Sequence, residues 1–388
     1  MNQLYYDKVI EIEKEMSFLP YNSLLGGNGG IALFYIYLYK ATGNENFYDK
    51  ASDIIEREIE KMAEGNNRYD FGSGDTGFLW MLLHCKNENL ISLPDGFIEE
   101  DMIDMIKSYS ISYLKEGYFD YFYGGLSACM FALEDGSDES KDFLKSVIYL
   151  LEDISIKEEN GRYWPGTFFT KKDEPNKEIN FGLAHGIPSI ISILSKINEI
   201  GIEQEKCTQL LTEAITYLYA NKFSNKISLF PSAIKKGIET PNSRLAWCYG
   251  DLGIAMSIWQ AGKSTKNKEW QNEALEIMEH ASQRRKPVSS IVKDACICHG
   301  SAGIGLIFYR FYIETSLEQY KESAYYWFDE TLKMAKHSDG VAGFKNWTPD
   351  RGLINNIGLL EGTSGIGLAL ISAAFETHPN WDRCLLLS

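Results

Sequence analysis

With 388 residues, 44% hydrophobic and 24% charged, the chain has room for two average domains or one large repeat-built domain with a substantial core. A net charge of −16 excludes broad nucleic-acid binding, which needs clustered Lys and Arg against phosphates, and disfavours adhesion to an anionic membrane. Seven scattered cysteines, an odd number, do not form a disulfide framework. No basic stretch followed by an apolar core opens the sequence, so no signal peptide is expected. The longest apolar run, Ile31 to Tyr39, is too short to span a bilayer, and a cytoplasmic protein is expected.

Taken in order, the chain begins with an amphipathic segment near Gln3 and then repeats one unit. Gly27, Gly74, Gly125, Gly186, Gly250, Gly300 and Gly362 are each followed three positions later by a small residue and then an apolar one. Successive first glycines lie 47, 51, 61, 64, 50 and 62 residues apart, which turns seven weak motifs into one strong pattern. The small residue is Gly in five copies and Ala128 or Ser189 in the third and fourth. Each copy opens a run such as Ile31 to Tyr39 or Ile304 to Tyr312, apolar on every side, as in a helix buried all round. Between these runs lie one-faced helices. Trp270, Ala274, Ile277, Met278 and Ala281 follow helical spacing, as do Tyr320, Ala324, Trp327, Phe328 and Leu332.

The order is therefore outer helix, glycine turn, inner helix, seven times over, ending near Phe375. Fully apolar inner helices need neighbours on both sides and cover from an outer layer. The expected fold is all-α, an α/α toroid of seven inner and seven outer helices. An open solenoid would instead need polar capping repeats. One domain over residues 1–388 is expected, with short strands or an irregular lobe at 161–180 and 221–242.

Three glycine turns carry chemistry-bearing side chains. Cys248 stands two residues before Gly250, Cys298 and His299 stand two and one before Gly300, and His185 stands one before Gly186. In a ring, adjacent turns face each other near the axis, which brings Cys248 towards Cys298 and His299. Two thiolates and one imidazole make a zinc set with a fourth position open, the arrangement of zinc sites that do chemistry. Helix N-termini favour the thiolates. Two thiolates also cancel the charge of Zn2+, so a third, incoming thiolate stays nucleophilic, which points to thiol activation rather than hydrolysis. The plainer reading stands beside this one. A buried Cys is more often core filler, as Cys85, Cys129, Cys207 and Cys296 are read, and a lone His in a turn more often a structural hydrogen-bonder.

The segments Trp247 to Gly250, Cys298 to Gly300 and Ala184 to Gly186 resemble the three signature motifs of the lanthionine synthetase C-like family, the lantibiotic cyclases. The likeness spans the whole chain and is to a stand-alone cyclase. It implies an enzyme that adds a cysteine thiol of a precursor peptide to dehydroalanine or dehydrobutyrine, giving lanthionine or methyllanthionine rings. It further implies one Zn2+ held by Cys248, Cys298 and His299. The substrate thiolate then takes the open position, and His185 serves as the acid/base group that protonates the α-carbon. Asp120 matches the aspartate that orients the histidine. Arg244 matches an arginine suited to steadying the enolate. A dehydratase and an export transporter are implied as partners, with possible membrane association through that complex and no nucleic acid. The rivals are a family member that adds glutathione to dehydrated proteins, and a non-catalytic zinc-stabilised peptide scaffold. A glycosidase would need paired carboxylates; Asp75 and Asp251 are more simply read as helix-start residues.

Overall fold

A computed structural model describes residues 1–65, 67–94, 96–167, 177–235, 237–238 and 240–388, so residues 168–176 of the expected lobe lie outside the described residues. Outer α1 (Gln3–Lys14) leads to inner α2 (Asn28–Thr42), outer α3 (Glu45–Met62) to inner α4 (Asp75–Asn87), and outer α5 (Glu100–Lys115) to inner α6 (Cys129–Asp135). Outer α7 (Asp138–Asp153) is followed by strands β1 (Ile156–Glu158), β2 (Gly161–Tyr163), β3 (Pro165–Thr167) and β4 (Lys177–Asn180), then by inner α8 (Ile187–Glu199). Outer α9 (Gln204–Ala220), strand β5 (Ala233–Ile234) and inner α10 (Asp251–Ser264) come next. Outer α11 (Lys268–Ser282), a single turn α12 (Pro287–Ser290) and inner α13 (Ser301–Thr315) follow. Outer α14 (Glu318–Met334), the hairpin β6 (Asn346–Thr348) and β7 (Gly352–Ile354), and inner α15 (Thr363–Phe375) complete the order. No described helix is long and apolar enough to cross a membrane.

The two helix classes start differently because their surroundings differ. Outer α1, α3, α7 and α11 are capped by the side chains of Asn2, Asn44, Ser137 and Asn267, which accept from N–H groups that would otherwise face water unpaired. Inner helices begin at glycine without a side-chain cap. In several of them the first N–H instead donates to the carbonyl seven residues back, as from Asn28 to Tyr21, Asp75 to Arg68, Ser301 to Asp294 and Thr363 to Asn356. Outer α11 buries Ala274, Ile277, Met278 and Ala281, while inner α15 is buried from Thr363 to Ala374.

The third repeat corrects the expected register. There the seven-back bond runs from Gly125 to Tyr118, so Gly124, not Gly125, is the counterpart of Gly27 and Gly74. The small residue three further on is then Ser127 rather than Ala128. Helix α6 begins late, after a turn capped by Ala128, and has 7 residues.

The chain divides into two compact units, residues 1–97 with 292–388, and residues 98–291. In the second, α8 packs against α6, α9 and α10, and α10 against α11. Strands β3, β4 and β5 form one antiparallel sheet in which Ile179 pairs with both Pro165 and Ile234, so the two irregular stretches meet. In the first unit, α15 packs against α1, α2 and α13. Asn2 N–H donates to the Ala374 carbonyl at 2.7 Å, which ties the first residues to the last inner helix. Helix α13 carries Arg310, which is buried and binds both carboxylate oxygens of Asp382 at 2.8 and 2.9 Å. Trp381 and Leu385 beside Asp382 are fully buried.

Glycine turns in both units are stitched by backbone hydrogen bonds between residues two before the glycine. Cys298 N–H donates to Leu360 O and Leu360 N–H to Leu25 O, each at 2.9 Å; in the other unit Ala184 N–H donates to Cys248 O at 3.4 Å. Within a turn, the chain's own backbone leaves no room for a side chain just inside the helix. A Cβ on Gly303 would stand 1.9 Å from the Ile297 carbonyl oxygen, whereas one on Gly166 would meet, among the described residues, nothing nearer than 3.7 Å. Gly303→Ala is expected to cost about 2–3 kcal/mol by overpacking, and Gly166→Ala to stay within about 0.5 kcal/mol, both read from urea denaturation midpoints.

Candidate active site and metal centre

Asp120 and His185 come together in the second unit. Asp120 follows α5 and is buried; its Oδ1 accepts from the backbone N–H groups of Phe122 and Tyr123, both at 2.9 Å. With one oxygen committed to the turn, Oδ2 meets His185 Nδ1 at 2.6 Å. The proton on Nδ1 is thereby held by the carboxylate, and Nε2 becomes the nitrogen that exchanges protons. The His185 side chain keeps 20% of its surface exposed, enough to meet a substrate. Burial acts to lower the His185 pKa, but the Asp120 hydrogen bond and charge and the neighbouring Cys248 outweigh it, so the net shift is upward from 6.5.

Aromatic side chains fix the imidazole from the flanks. The Phe122 ring stands edge-on to it at 5.6 Å and 81°, and Phe122 in turn packs at 5.7 Å from Trp247. The Tyr249 ring lies at 6.4 Å from the imidazole, and its hydroxyl accepts from Asn180 Nδ2 at 3.3 Å. Phe122, Asn180 and Tyr249 were not anticipated. Tyr249 was the discernible one, since it fills in the fifth turn the position that His185 fills in the fourth.

Cys248 is buried in the same unit, with its carbonyl against the turn that carries His185. A Cβ on Gly182 would stand 2.5 Å from that carbonyl, so the residue there must be glycine. Arg244, four residues earlier, is half-buried, and its guanidinium makes no hydrogen bond or ion pair among the described residues. Its backbone is held from behind: Arg284 donates to the Ser243 carbonyl at 2.6 Å and to Asp251 at 2.8 Å. Asp251 is thus more than the helix-start residue expected. Burial pushes its carboxyl pKa up, against the Arg284 charge and the backbone N–H groups of Leu229 and Phe230, which it also binds.

Cys298 and His299 belong to the first unit. His299 Nε2 lies 3.1 Å from Asp294 Oδ2 and 3.3 Å from the Trp347 carbonyl oxygen. Asp294 is fixed in turn by the N–H groups of Trp347 at 2.7 Å and Cys296 at 3.1 Å. Burial alone would raise the Asp294 pKa, yet the His299 contact and these N–H groups hold it below the ordinary carboxylate value. With Nε2–H given to a carboxylate, Nδ1 carries the lone pair a metal would use, the usual carboxylate–histidine–metal arrangement. Donor atoms of Cys298, His299 and Glu361 lie within 4.8 Å of one another and could hold a cation. A second group, Asp294, Cys296 and His299, is as tight but wholly buried, and burial pushes the Cys296 thiol far up. Cys296 is therefore read as core, as expected. Glu361, unanticipated, stands one residue before Gly362 just as His299 stands one before Gly300.

A family model described as lanthionine synthetase C-like protein matches residues 20–386. The nisin biosynthesis protein NisC of Lactococcus lactis subsp. lactis is 25% identical over 397 aligned residues, 94% of this chain and 88% of that protein. A solved structure of a nisin cyclase superposes with a TM-score of 0.75 at 19% identity, over 99% of this chain and 97% of that one. That likeness speaks for the fold, and the expected all-α, α/α toroid class stands.

Because Asp120 lifts the His185 pKa, the pair stabilises the folded chain fully below the unfolded histidine value and loses this as pH rises through the folded one. Asp120→Asn is expected to move the His185 titration midpoint downward, followed by NMR of the imidazole protons. The stability gap between wild type and variant is expected to be widest in acid and to narrow with rising pH.

Proposed function

The chain belongs to the lanthionine synthetase C-like family, and from that premise we propose that it is a zinc-dependent peptide cyclase. Its reaction joins a cysteine thiol of a dehydrated precursor peptide to the β-carbon of dehydroalanine or dehydrobutyrine, and a proton is delivered to the α-carbon. The observation that carries this reading is the Asp120–His185 contact at 2.6 Å. A scaffold that only held peptide and metal has no use for an imidazole with its Nδ1 pinned and its pKa raised.

The donor set fits zinc: a thiolate sulfur and an imidazole nitrogen oriented by a carboxylate are what that ion takes. Cys248, Cys298 and His299 would hold it, and Asp294 would keep His299 in the ligating tautomer. When bound, zinc supplies the positive charge that lets a thiol lose its proton near neutral pH. His185 then gives the Nε2 proton to the enolate carbon, Asp120 steadies the imidazolium before the transfer, and the Arg244 guanidinium faces the developing oxyanion. Support for Cys248 as a ligand comes from the repeat itself. Cys248 and Cys298 each stand two residues before the glycine of their repeat, so soft donors fill matching positions of the same unit. Glu361 is the competing third ligand, because its carboxylate lies within 4.8 Å of the Cys298 and His299 donors. This chemistry requires a dehydratase to supply the dehydro residues, and an exporter that removes the product is the other partner of the reading.

Elemental analysis is expected to find about one zinc per chain, absent in Cys248→Ala and Cys298→Ala and retained in Glu361→Gln. Metal kept by Cys248→Ala and lost by Glu361→Gln would hand the third position to the carboxylate. His185→Ala is expected to keep its zinc and lose about 10²- to 10⁴-fold in ring closure. Ring closure is followed by mass spectrometry with a thiol-alkylating reagent, since cyclisation leaves mass unchanged but hides the thiol. Undiminished closure in His185→Ala would favour the scaffold.

A further inference from the structure

In the first unit, the turn before α2 meets the turn before α4 through a hydrogen bond from Asn22 Nδ2 to Asp75 Oδ1, beside a cavity of about 310 Å³. Tyr21, Glu58, Lys61, Met62, Arg68 and Asp75 line it. Its charges are sorted by depth. Glu58 is fully buried and Asp75 nearly so, whereas the side chains of Lys61 and Arg68 stay 47% and 66% exposed. An acidic floor thus lies beneath a basic rim, which Glu64 shares.

Glu58 holds an oxygen that the fold does not use. Its Oε1 accepts from Asn28 Nδ2 at 2.8 Å and from Lys61 Nζ at 2.6 Å, while Oε2 has no partner among the described residues. The tie from Asn28, the first residue of α2, to α3 recurs in the sixth repeat. There Ser301, the first residue of α13, meets Thr331 of α14 at 2.7 Å, and both ties span 30 residues. A hydroxyl suffices in that repeat, so the second oxygen of Glu58 is surplus to the architecture. A buried charged oxygen without a donor is costly, and a chain keeps one where something from outside supplies the donor. One water takes only ~30 Å³, about a tenth of this cavity. Among the described residues, neither Glu58 nor Asp75 belongs to a group of three close metal donors.

Asp75 calls for the same partner. Burial, with the Asp70 charge added, pushes its carboxyl pKa up despite hydrogen bonds from Asn22 Nδ2 and the Arg68 N–H. A cation arriving at the floor relieves both carboxylates.

We propose that this cavity binds a small zwitterionic amino acid, its ammonium donating to Glu58 and its carboxylate facing Lys61 and Arg68. The order of charges selects a zwitterion. A plain cation leaves the rim unanswered, and a plain anion is repelled by the floor. The volume sits at the low end of small-molecule sites, and Tyr21 and Met62 give an apolar side chain a surface to rest on. The site is independent of the cyclase reading.

The test is isothermal titration calorimetry of the full chain with L-leucine, N-acetyl-L-leucine and L-leucinamide. Leucine is expected to bind. Acetylation, which removes the ammonium, is expected to weaken binding at least tenfold, and amidation, which removes the charge facing the rim, about threefold. Glu58→Gln keeps an acceptor for Asn28 and loses the charge; it is expected to bind leucine about tenfold more weakly, with ring closure as in wild type. Should that variant melt early, Arg68→Gln changes only an exposed side chain. It is expected to weaken leucine about threefold and leave leucinamide unchanged. No binding of leucine by wild type, equal binding of leucine and its acetylated form, or undiminished binding by a folded Glu58→Gln would overturn the proposal and leave Oε2 to ordered water. Equal losses of leucine and leucinamide in Arg68→Gln would overturn the placing of the carboxylate at the rim.

Discussion

Backbone hydrogen bonds from Cys298 to Leu360 and from Leu360 to Leu25 require the glycine turns to meet main chain to main chain. That demand explains most of what is unusual about the inner helices. Where Asn28, Asp75, Ser301 and Thr363 open such helices, a carbonyl seven residues earlier already takes the first N–H, and no side-chain cap is present. They start at glycine because a Cβ would collide with that same neighbourhood. The consequence for chemistry is that residues just before each glycine are held on a rigid rim and not on a loose loop.

Two aspartates exploit that rim in the same way and obtain opposite results. Asp120 and Asp294 each give one oxygen to backbone N–H groups of their own turn and the other to a histidine. His185 is gripped at Nδ1 and His299 at Nε2. A single carboxylate device thus turns the two imidazoles opposite ways round, and the proposed acid and ligand roles rest on that difference.

Helix order and the faces of α11 and α14 were legible because burial all round and burial on one side leave different periodicities. His185, Cys298 and His299 were legible because they interrupt a repeat at matching positions. Asp120 was found only through resemblance: it sits far from His185 in sequence, and no local pattern marks a carboxylate that reaches across repeats. Glu361 and Asp294 escaped for the same reason, although Glu361 shares the position of His299. The third turn was misregistered by one residue because Gly124 and Gly125 are adjacent, and only the bond from Gly125 to Tyr118 tells them apart. Strands β3, β4 and β5 are too short for an alternating pattern, and their pairing depends on contacts between distant stretches.

The composition of the first unit bears on how the chain is made. Residues 98–291 are continuous and can pack as they leave the ribosome. Helices α1 and α2, by contrast, wait for α15, against which both lie, and the Asn2 bond to Ala374 closes only after nearly the whole chain has been translated. Until then α2 has only α3 and α4 of its own half of the unit to pack against. The first ninety-odd residues are therefore the part of the chain whose packing is completed last.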